Sequence, residues 1–236
     1  MTTQHETLPD RLGSTPTGIA PGIHVPLIRL LAEGEPVTIA ELAAASAQLQ
    51  DAVREALEAA GDAEYDEEGS IIGLGLTLRP TPHRFTVAGE QLYTWCALDT
   101  LIFPALIGKA ATVESTSPTS GTTIRVRVAD DGTAASVHPS TAVVSLVEPD
   151  APGSVRSSFC NQVHYFASHA DAQPWIDAHP GGEIVDVATA HRTGATMASA
   201  LLDAAAIPAP AAQDSSCAPD RAPATAPTRT APHSCC

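Results

Sequence analysis

The chain has little positive charge. Its 236 residues include 12 Lys and Arg against 27 Asp and Glu, which gives a formal charge of −15 at pH 7. Proteins that bind the nucleic-acid backbone neutralise its phosphates with clustered Lys and Arg. The composition therefore argues against a nucleic-acid-binding protein and does not itself indicate another partner.

Long hydrophobic runs are also missing. Residues 1–13 contain no apolar stretch of the kind found in secretory signals. The most apolar segment, residues 97–107, is interrupted by Asp99 and Pro104, and it is shorter than the roughly 20 residues that a membrane-spanning helix needs. We therefore expect a cytoplasmic protein that does not enter a membrane.

Cysteines are few and unevenly placed. The chain has five, and three of them, Cys217, Cys235 and Cys236, lie within the last twenty residues. A small secreted domain would show an even, regularly spaced set, and a redox pair would show the Cys-x-x-Cys spacing. Neither pattern is present, so we expect Cys96 and Cys160 to be free thiols.

Residues 22–80 have the outline of a winged-helix domain. We predict helices over residues 24–32 and 49–60, and between them a helix that begins with a capping box of Thr38 and Glu41. A hairpin is expected over residues 65–78. Acidic side chains crowd residues 33–68, where Arg54 is the one basic residue. Phosphate would be repelled, so a packing domain is preferred to a DNA-binding one.

Residues 81–206 are predicted to form an α+β core of antiparallel sheets and helices. An apolar helix is expected over residues 89–107, kinked or ended by Pro104. Strands are expected over residues 111–115, 122–128, 142–146 and 163–167, and helices over residues 172–178 and 188–205. Residues 1–21 should be a flexible N-terminus, and residues 207–236, rich in Ala and Pro, a disordered tail.

The predicted apolar helix places a thiol beside a carboxyl. Cys96 and Asp99 are three residues apart, a spacing that puts both side chains on one helix face. Loss of water around Asp99 would raise the pKa of its carboxyl and let it carry a proton near neutral pH. The alternative is a structural role, in which Asp99 hydrogen-bonds a neighbour such as Thr100.

Cys160 lies in a polar-to-apolar segment that can begin a core strand, and alone it would pass for a small buried hydrophobe. Together with Cys96 it allows three interpretations. A zinc site would need four ligands, which Cys96, Asp99, Cys160 and His164 could supply, but the spacing matches no common signature. A redox disulfide lacks its motif. A large thiophilic ion, in contrast, needs only two thiolates.

The residues around these cysteines resemble those of a known family. The segment Trp95-Cys96-Ala97-Leu98-Asp99, followed by Phe159-Cys160 and by His164-Tyr165-Phe166, is similar to the organomercurial (alkylmercury) lyases, MerB. The resemblance implies an α+β fold and a catalytic trio of Cys96, Asp99 and Cys160. It also implies that these three residues hold mercury as substrate and product, while Asp99 protonates the carbon.

The resemblance further implies mercury detoxification, with no cofactor, with turnover by external thiols and with mercuric reductase as a possible acceptor of Hg(II). Trp95 and Phe159 would then wall the pocket for the organic group. Cys217, Cys235 and Cys236 either relay mercury or belong to an incidental extension. Two other functions stay open: a soft-metal-binding protein without catalysis, and a metal-responsive winged-helix regulator.

Overall fold

The computed structural model describes residues 18–129, 135–148 and 154–206. Three helices begin it: α1 (Pro21–Leu31), α2 (Ile39–Ser46) and α3 (Gln50–Ala60). The expected capping box starts α2, because the Glu41 N–H donates to Thr38 Oγ1 at 3.2 Å and the Thr38 N–H donates to Glu41 at 2.8 Å. Gly61 ends α3 in the left-handed conformation, at φ 73°. The three predicted helices are thus confirmed within a few residues.

An antiparallel sheet of eight strands forms the centre of the molecule, in the order β1-β2-β3-β5-β4-β6-β7-β8. Its strands are β1 (Glu64–Tyr65), β2 (Ile71–Leu74), β3 (Leu76–Thr77), β4 (His83–Val87), β5 (Glu90–Thr94), β6 (Ala111–Thr116), β7 (Thr123–Val128) and β8 (Ala135–His138). The predicted hairpin supplies β1 and β2, and Leu76 of β3 pairs with Thr94 of β5. The wing and the core therefore share one sheet.

The predicted helix over residues 89–107 is wrong in its first half. Residues 90–94 form β5, which pairs with β4 as well as with β3. Helix α4 (Asp99–Ile107) begins only at Asp99 and continues past Pro104 to Gly108. The spacing of Leu92, Trp95 and Leu98 resembles a helical stripe, but pairing on both sides satisfies the backbone of β5 as a strand.

A smaller sheet and three further helices complete the fold. The sheet has the order β10-β9-β11, from β9 (Val143–Leu146), β10 (Tyr165–Phe166) and β11 (Glu183–Asp186). The helices are α5 (Val155–Ser158), α6 (His169–Ala178) and α7 (Val187–Ala205). Strands β6, β7, β9 and β10 and helices α6 and α7 confirm predictions. Strands β4, β8 and β11 were not predicted.

The core lies between the large sheet and the packed helices α1, α4 and α7. Helix α7 packs against α4 at Gly194, where a Cβ would lie in van der Waals contact with Leu101 and Ile102 at 3.4 Å. Within the described ranges, no helix is both long and apolar enough to cross a membrane.

Both ends of the chain were expected to be flexible. Residues 1–17 and 207–236 lie outside the described part of the chain, and the tail cysteines Cys217, Cys235 and Cys236 fall among them. The final residues of the N-terminal segment are packed, because Ile19 is buried and α1 already begins at Pro21.

The capping box of α2 gives a test of the helical region. Thr38→Ala removes the side chain that accepts the Glu41 N–H, so we expect the free energy of unfolding to fall by about 1 kcal/mol. Urea denaturation of the full chain measures this change. Thr38→Ser keeps a hydroxyl and is the control. Equal stability of the Ala and Ser variants would contradict the capping role.

Candidate active site

Cys96 lies in the short connection between β5 and α4, and hydrogen bonds to three parts of the fold hold that connection. The N–H of Trp95 donates to the Gly75 carbonyl at 2.9 Å, and the N–H of Ala97 donates to the Val163 carbonyl at 3.0 Å. The Thr94 hydroxyl donates to the carbonyl of Cys96 at 2.9 Å. The position of the thiol is thus set by distant segments of the chain.

Cys96 and Asp99 bond to each other reciprocally. The backbone N–H of Cys96 donates to Asp99 Oδ2 at 3.2 Å, and the backbone N–H of Asp99 donates to Cys96 Sγ at 3.4 Å. This is the pattern of a capping box, with a thiol in place of the usual hydroxyl. The two side chains meet as predicted, but at the start of α4 and not on one helix face. The positive end of the helix there favours a thiolate.

Cys160 reaches the same place from the other side of the fold. It follows the short helix α5 and begins a 3₁₀ turn, Cys160–Gln162. The segment that holds Cys160 leads into strand β10, which starts five residues later, within the strand expected over residues 163–167. Ser154 caps α5 by accepting the Ser157 N–H at 3.1 Å, and a helix of four residues is too short to show periodicity in the sequence.

The two sulfurs and the carboxylate form one cluster. The ligand atoms of Cys96, Asp99 and Cys160 all lie within 4.8 Å of one another. Both cysteines are free thiols, with exposed fractions of 0% and 5%. Such a separation lets a single large thiophilic ion contact both sulfurs with a carboxyl at its side.

Burial controls the proton of Asp99. Loss of water around the carboxyl raises its pKa to about 7, although the hydrogen bonds from Cys96 act in the opposite direction. The side chain keeps a partly exposed surface, which lines the cavity beside Cys160. Asp99 can therefore both accept and donate a proton near neutral pH.

Both thiols are held in their protonated form. Burial raises the pKa of Cys96 well above its usual value, and the hydrogen bond with Cys160 and the charge of Asp99 act in the same direction. The bond with Cys96 favours the thiolate of Cys160, but burial and the negative charges of Asp99 and Asp62 outweigh it and raise the pKa of Cys160. A neighbouring base is therefore needed to produce a thiolate.

A narrow apolar cavity opens onto this cluster. Asp99 and Cys160 line it, and the residues around them include Trp95, Leu98, Ile102, Phe103, Phe159 and Met197. Trp95 and Phe159 thus stand on the cavity wall, where the sequence placed them. Cys96 does not line the cavity and is fully buried. A ligand in the cavity therefore contacts Cys160 and Asp99 directly.

His164 takes no part in the cluster. Among the described residues, the one group of three or more side chains able to hold a metal contains Cys96, Asp99 and Cys160 only. The imidazole of His164 instead stacks on His83 at 6.2 Å between ring centroids. A zinc site with four ligands would therefore lack its fourth ligand, His164.

Sequence reasoning missed two neighbours of the site. The guanidinium of Arg156 lies 4.6 Å from the ring centroid of Trp95, a cation–π distance. The spacing of four residues between Arg156 and Cys160 was the available signal. The hydroxyl of Tyr165 lies 2.8 Å from the hydroxyl of Thr100, and this hydrogen bond joins β10 to the first turn of α4.

Known proteins resemble this chain in sequence and fold. The profile of the alkylmercury lyase family, MerB, matches residues 76–199, and that of the helix-turn-helix domain of alkylmercury lyase matches residues 4–75. The alkylmercury lyase of Streptomyces lividans is 52% identical over 182 residues, which cover 77% of this chain and 84% of that protein. The alkylmercury lyase of Pseudomonas putida is 48% identical, with 77% and 85% covered.

A solved structure shows the same fold. The crystal structure of the mercury-bound form of MerB2 aligns with a TM-score of 0.64 at 26% identity, and it covers 75% of this chain and 90% of that one. Sequence and architecture therefore agree over most of the chain.

The raised pKa of Asp99 predicts how stability depends on pH. An unfolded Asp titrates near 3.9, whereas the folded pKa is about 7, so the folded state binds more protons between those values. The contribution of this group to stability therefore falls as pH rises from about 4 to about 7. Asp99→Asn has no carboxyl to titrate, so the variant does not lose this contribution to stability as pH rises. In urea denaturation we expect the variant to exceed the parent in stability at pH 8, by a margin that shrinks towards pH 4.

Asp171→Asn is the matched control with the opposite sign. Burial alone would raise the pKa of Asp171, but hydrogen bonds from Ser117 and the Ala167 N–H hold it below its usual value. That variant should be less stable than the parent at pH 8, and the deficit should close only as pH falls below about 4. A margin for Asp99→Asn that does not change with pH would contradict the buried, raised-pKa carboxyl.

Proposed function

The chain belongs to the alkylmercury lyase family, and on that premise we propose that Cys96, Asp99 and Cys160 are its catalytic residues. The protein is a carbon–mercury lyase: it converts R–Hg–X to the hydrocarbon R–H and Hg(II), a reaction of mercury detoxification. The observation that supports the assignment is the approach of two sulfurs and one carboxylate to within 4.8 Å.

The first step is a proton transfer followed by attack on the metal. Asp99 accepts the proton of one thiol, and the resulting thiolate displaces X⁻ from R–Hg–X to form R–Hg–S. Raised pKa values keep both thiols protonated in the free protein, so the attacking thiolate arises only beside its base. Mercury is a soft metal and prefers this sulfur to oxygen or nitrogen ligands.

The second step breaks the carbon–mercury bond. The sulfur of the other cysteine binds the metal, and Asp99 donates its proton to the carbon, which leaves as R–H. Asp99 then receives the proton of the second thiol. The products are R–H, X⁻ and Hg(II) bound by two sulfurs, with one proton left on Asp99. A carboxyl with a pKa of about 7 suits both the accepting and the donating role.

The cavity explains why the organic group is accepted. Trp95 and Phe159 line it together with aliphatic side chains, so the hydrocarbon part of the substrate meets apolar surface. Exclusion of water also keeps the carboxyl protonatable. Mercury is substrate and product here, and the three residues supply the acid, the base and the nucleophiles without a further cofactor.

Release of Hg(II) requires competing sulfur. Two protein thiolates hold the product, and external thiols exchange with them one at a time. We propose that small thiols complete turnover and that mercuric reductase is a later acceptor. The catalytic thiols must stay reduced, and a cytoplasm rich in small thiols provides that condition.

Asp99 separates catalysis from simple metal binding. With phenylmercury as substrate and excess thiol, we expect Asp99→Asn to lower the rate of benzene release at least about a hundredfold, because the acid is lost. Gas chromatography of the benzene measures that rate. The variant should still bind Hg(II) through Cys96 and Cys160. Benzene release by Asp99→Asn at the parent rate would contradict proton delivery by Asp99.

Cys217, Cys235 and Cys236 are proposed to relay Hg(II) from the catalytic cysteines to external thiols. Vicinal thiols are strong soft-metal ligands, which supports the idea. A chain ending at Ala206 should therefore turn over more slowly than the full chain when external thiol is limiting, and equally fast when thiol is abundant. Steady-state release of benzene measures both conditions. An unchanged rate at limiting thiol would rule out the relay.

A further inference from the structure

Two carboxylates of the N-terminal region contact the segment that carries Cys160. Asp62 follows helix α3, and Glu64 is the first residue of β1. Asp62 accepts the hydroxyl of Ser154 and, at 3.2 Å, the backbone N–H of Arg156. Glu64 accepts the guanidinium of Arg156. Asp62 and Glu64 are together called the carboxylate clasp below.

The clasp binds a hydrogen-bonded unit that leads to the catalytic thiol. Ser154 caps α5, the N–H of Phe159 donates to the Val155 carbonyl at 2.9 Å, and the N–H of Val163 donates to the Cys160 carbonyl at 3.2 Å. These bonds connect the clasped residues to the turn of Cys160. A displacement of Ser154 or Arg156 would therefore move the sulfur.

Arg156 connects the clasp to the other thiol as well. Its guanidinium contacts Glu64 on one side and lies over the ring of Trp95, the residue before Cys96, on the other. Thr77 of β3 also donates its hydroxyl to Glu64. The clasp thus ties α5 to the sheet that also contains β5, the strand that ends two residues before Cys96.

The ion pair between Glu64 and Arg156 would contribute little to the free energy of unfolding if its role were only structural. The side chain of Glu64 is only 6% exposed, while that of Arg156 is 34% exposed. Burying a carboxylate takes it from water, and a well-packed apolar pair often stabilises a fold equally well. Such a pair does, however, fix a single geometry, because the guanidinium and the carboxylate align in few orientations.

We propose that Asp62 and Glu64 are positioning residues for the lyase reaction, which hold Ser154 and Arg156 so that the sulfur of Cys160 faces Asp99 and Cys96. The proposal rests on the catalytic role of Cys160 given above. It assigns the helical N-terminal region a part in catalysis: its carboxylates complete a site whose reacting groups all come from the core.

The clasp also contributes to the charge around the sulfur. The groups that act on Cys160 are Cys96 and Asp99 at the start of α4, Asp62 of the clasp and Arg156 on its own helix. The charge of Asp62 raises the pKa of the thiol, and that of Arg156 lowers it.

The test uses the full chain with Glu64→Gln, Asp62→Asn and, as control, Glu67→Gln, which removes an equal charge from an exposed position of the same hairpin. We expect Glu64→Gln to lower kcat for phenylmercury roughly ten- to hundredfold, the scale of a misplaced reacting group, with KM changed less than about twofold. Circular dichroism and urea denaturation give the folded fraction of each variant, so that loss of folded protein does not count as loss of kcat.

A second readout needs no catalysis. The rate of alkylation of Cys160 at one fixed pH, followed by mass spectrometry of its peptide, reports how accessible the buried sulfur is. In Asp62→Asn and Glu64→Gln the displaced sulfur should react at a rate that differs severalfold from that of the parent, and in Glu67→Gln the rate should match the parent. The clasp and the Arg156 contact act as one unit. The double variant Glu64→Gln/Arg156→Gln should therefore have a kcat little lower than that of Arg156→Gln alone.

Parent kcat in Glu64→Gln, or a parent alkylation rate in both Glu64→Gln and Asp62→Asn, would overturn the proposal. The alkylation rate is measured without substrate, so it tests the clasp even in a chain that cleaves nothing. Failure of the proposed function has a different signature, namely full turnover by Cys160→Ser.

Discussion

The carboxyl of Asp99 stands at the start of a buried apolar helix, beside a thiol that bonds to it and opposite a second thiol from a distant turn. Water is largely excluded, so the carboxylate is disfavoured and its pKa rises to about 7. The same exclusion keeps both sulfurs protonated. Acid, base and nucleophiles therefore share two or three protons in one small volume, and the reaction depends on how those protons move.

The rest of the fold keeps this volume small and dry. Strand β5 delivers Cys96, and helix α4 begins immediately after it with Asp99 at its first residue. Helix α7 packs against α4 at Gly194, and apolar side chains close the cavity. The turn of Cys160 arrives from the other side, joined to the Cys96 connection by the bond from Ala97 to Val163. Every reacting group is held by backbone hydrogen bonds rather than by a loose loop.

Local signals in the sequence predicted much of this architecture. The capping box of Thr38, the helix stop at Gly61 and the alternating strand β7 depend on neighbouring residues alone, so they are readable in one sequence. Strand β5 was not predictable, because β3 and β4 on either side decide its conformation. Cys96 and Asp99 lie side by side as expected, although the helix predicted to contain both residues was wrong in its first half. Asp62 and Glu64 lie in a run of acidic residues, where nothing in the sequence marks the two that contact the segment of Cys160.

The most direct test of the account is the titration of the Asp99 carboxyl in the free protein. Its carboxyl carbon can be followed by ¹³C NMR in chain labelled at Asp, with Asp99→Asn to assign the signal. The buried site predicts a midpoint near pH 7, in the range where a single group can serve as base and then as acid. A midpoint near pH 4, as in an exposed Asp, would contradict it.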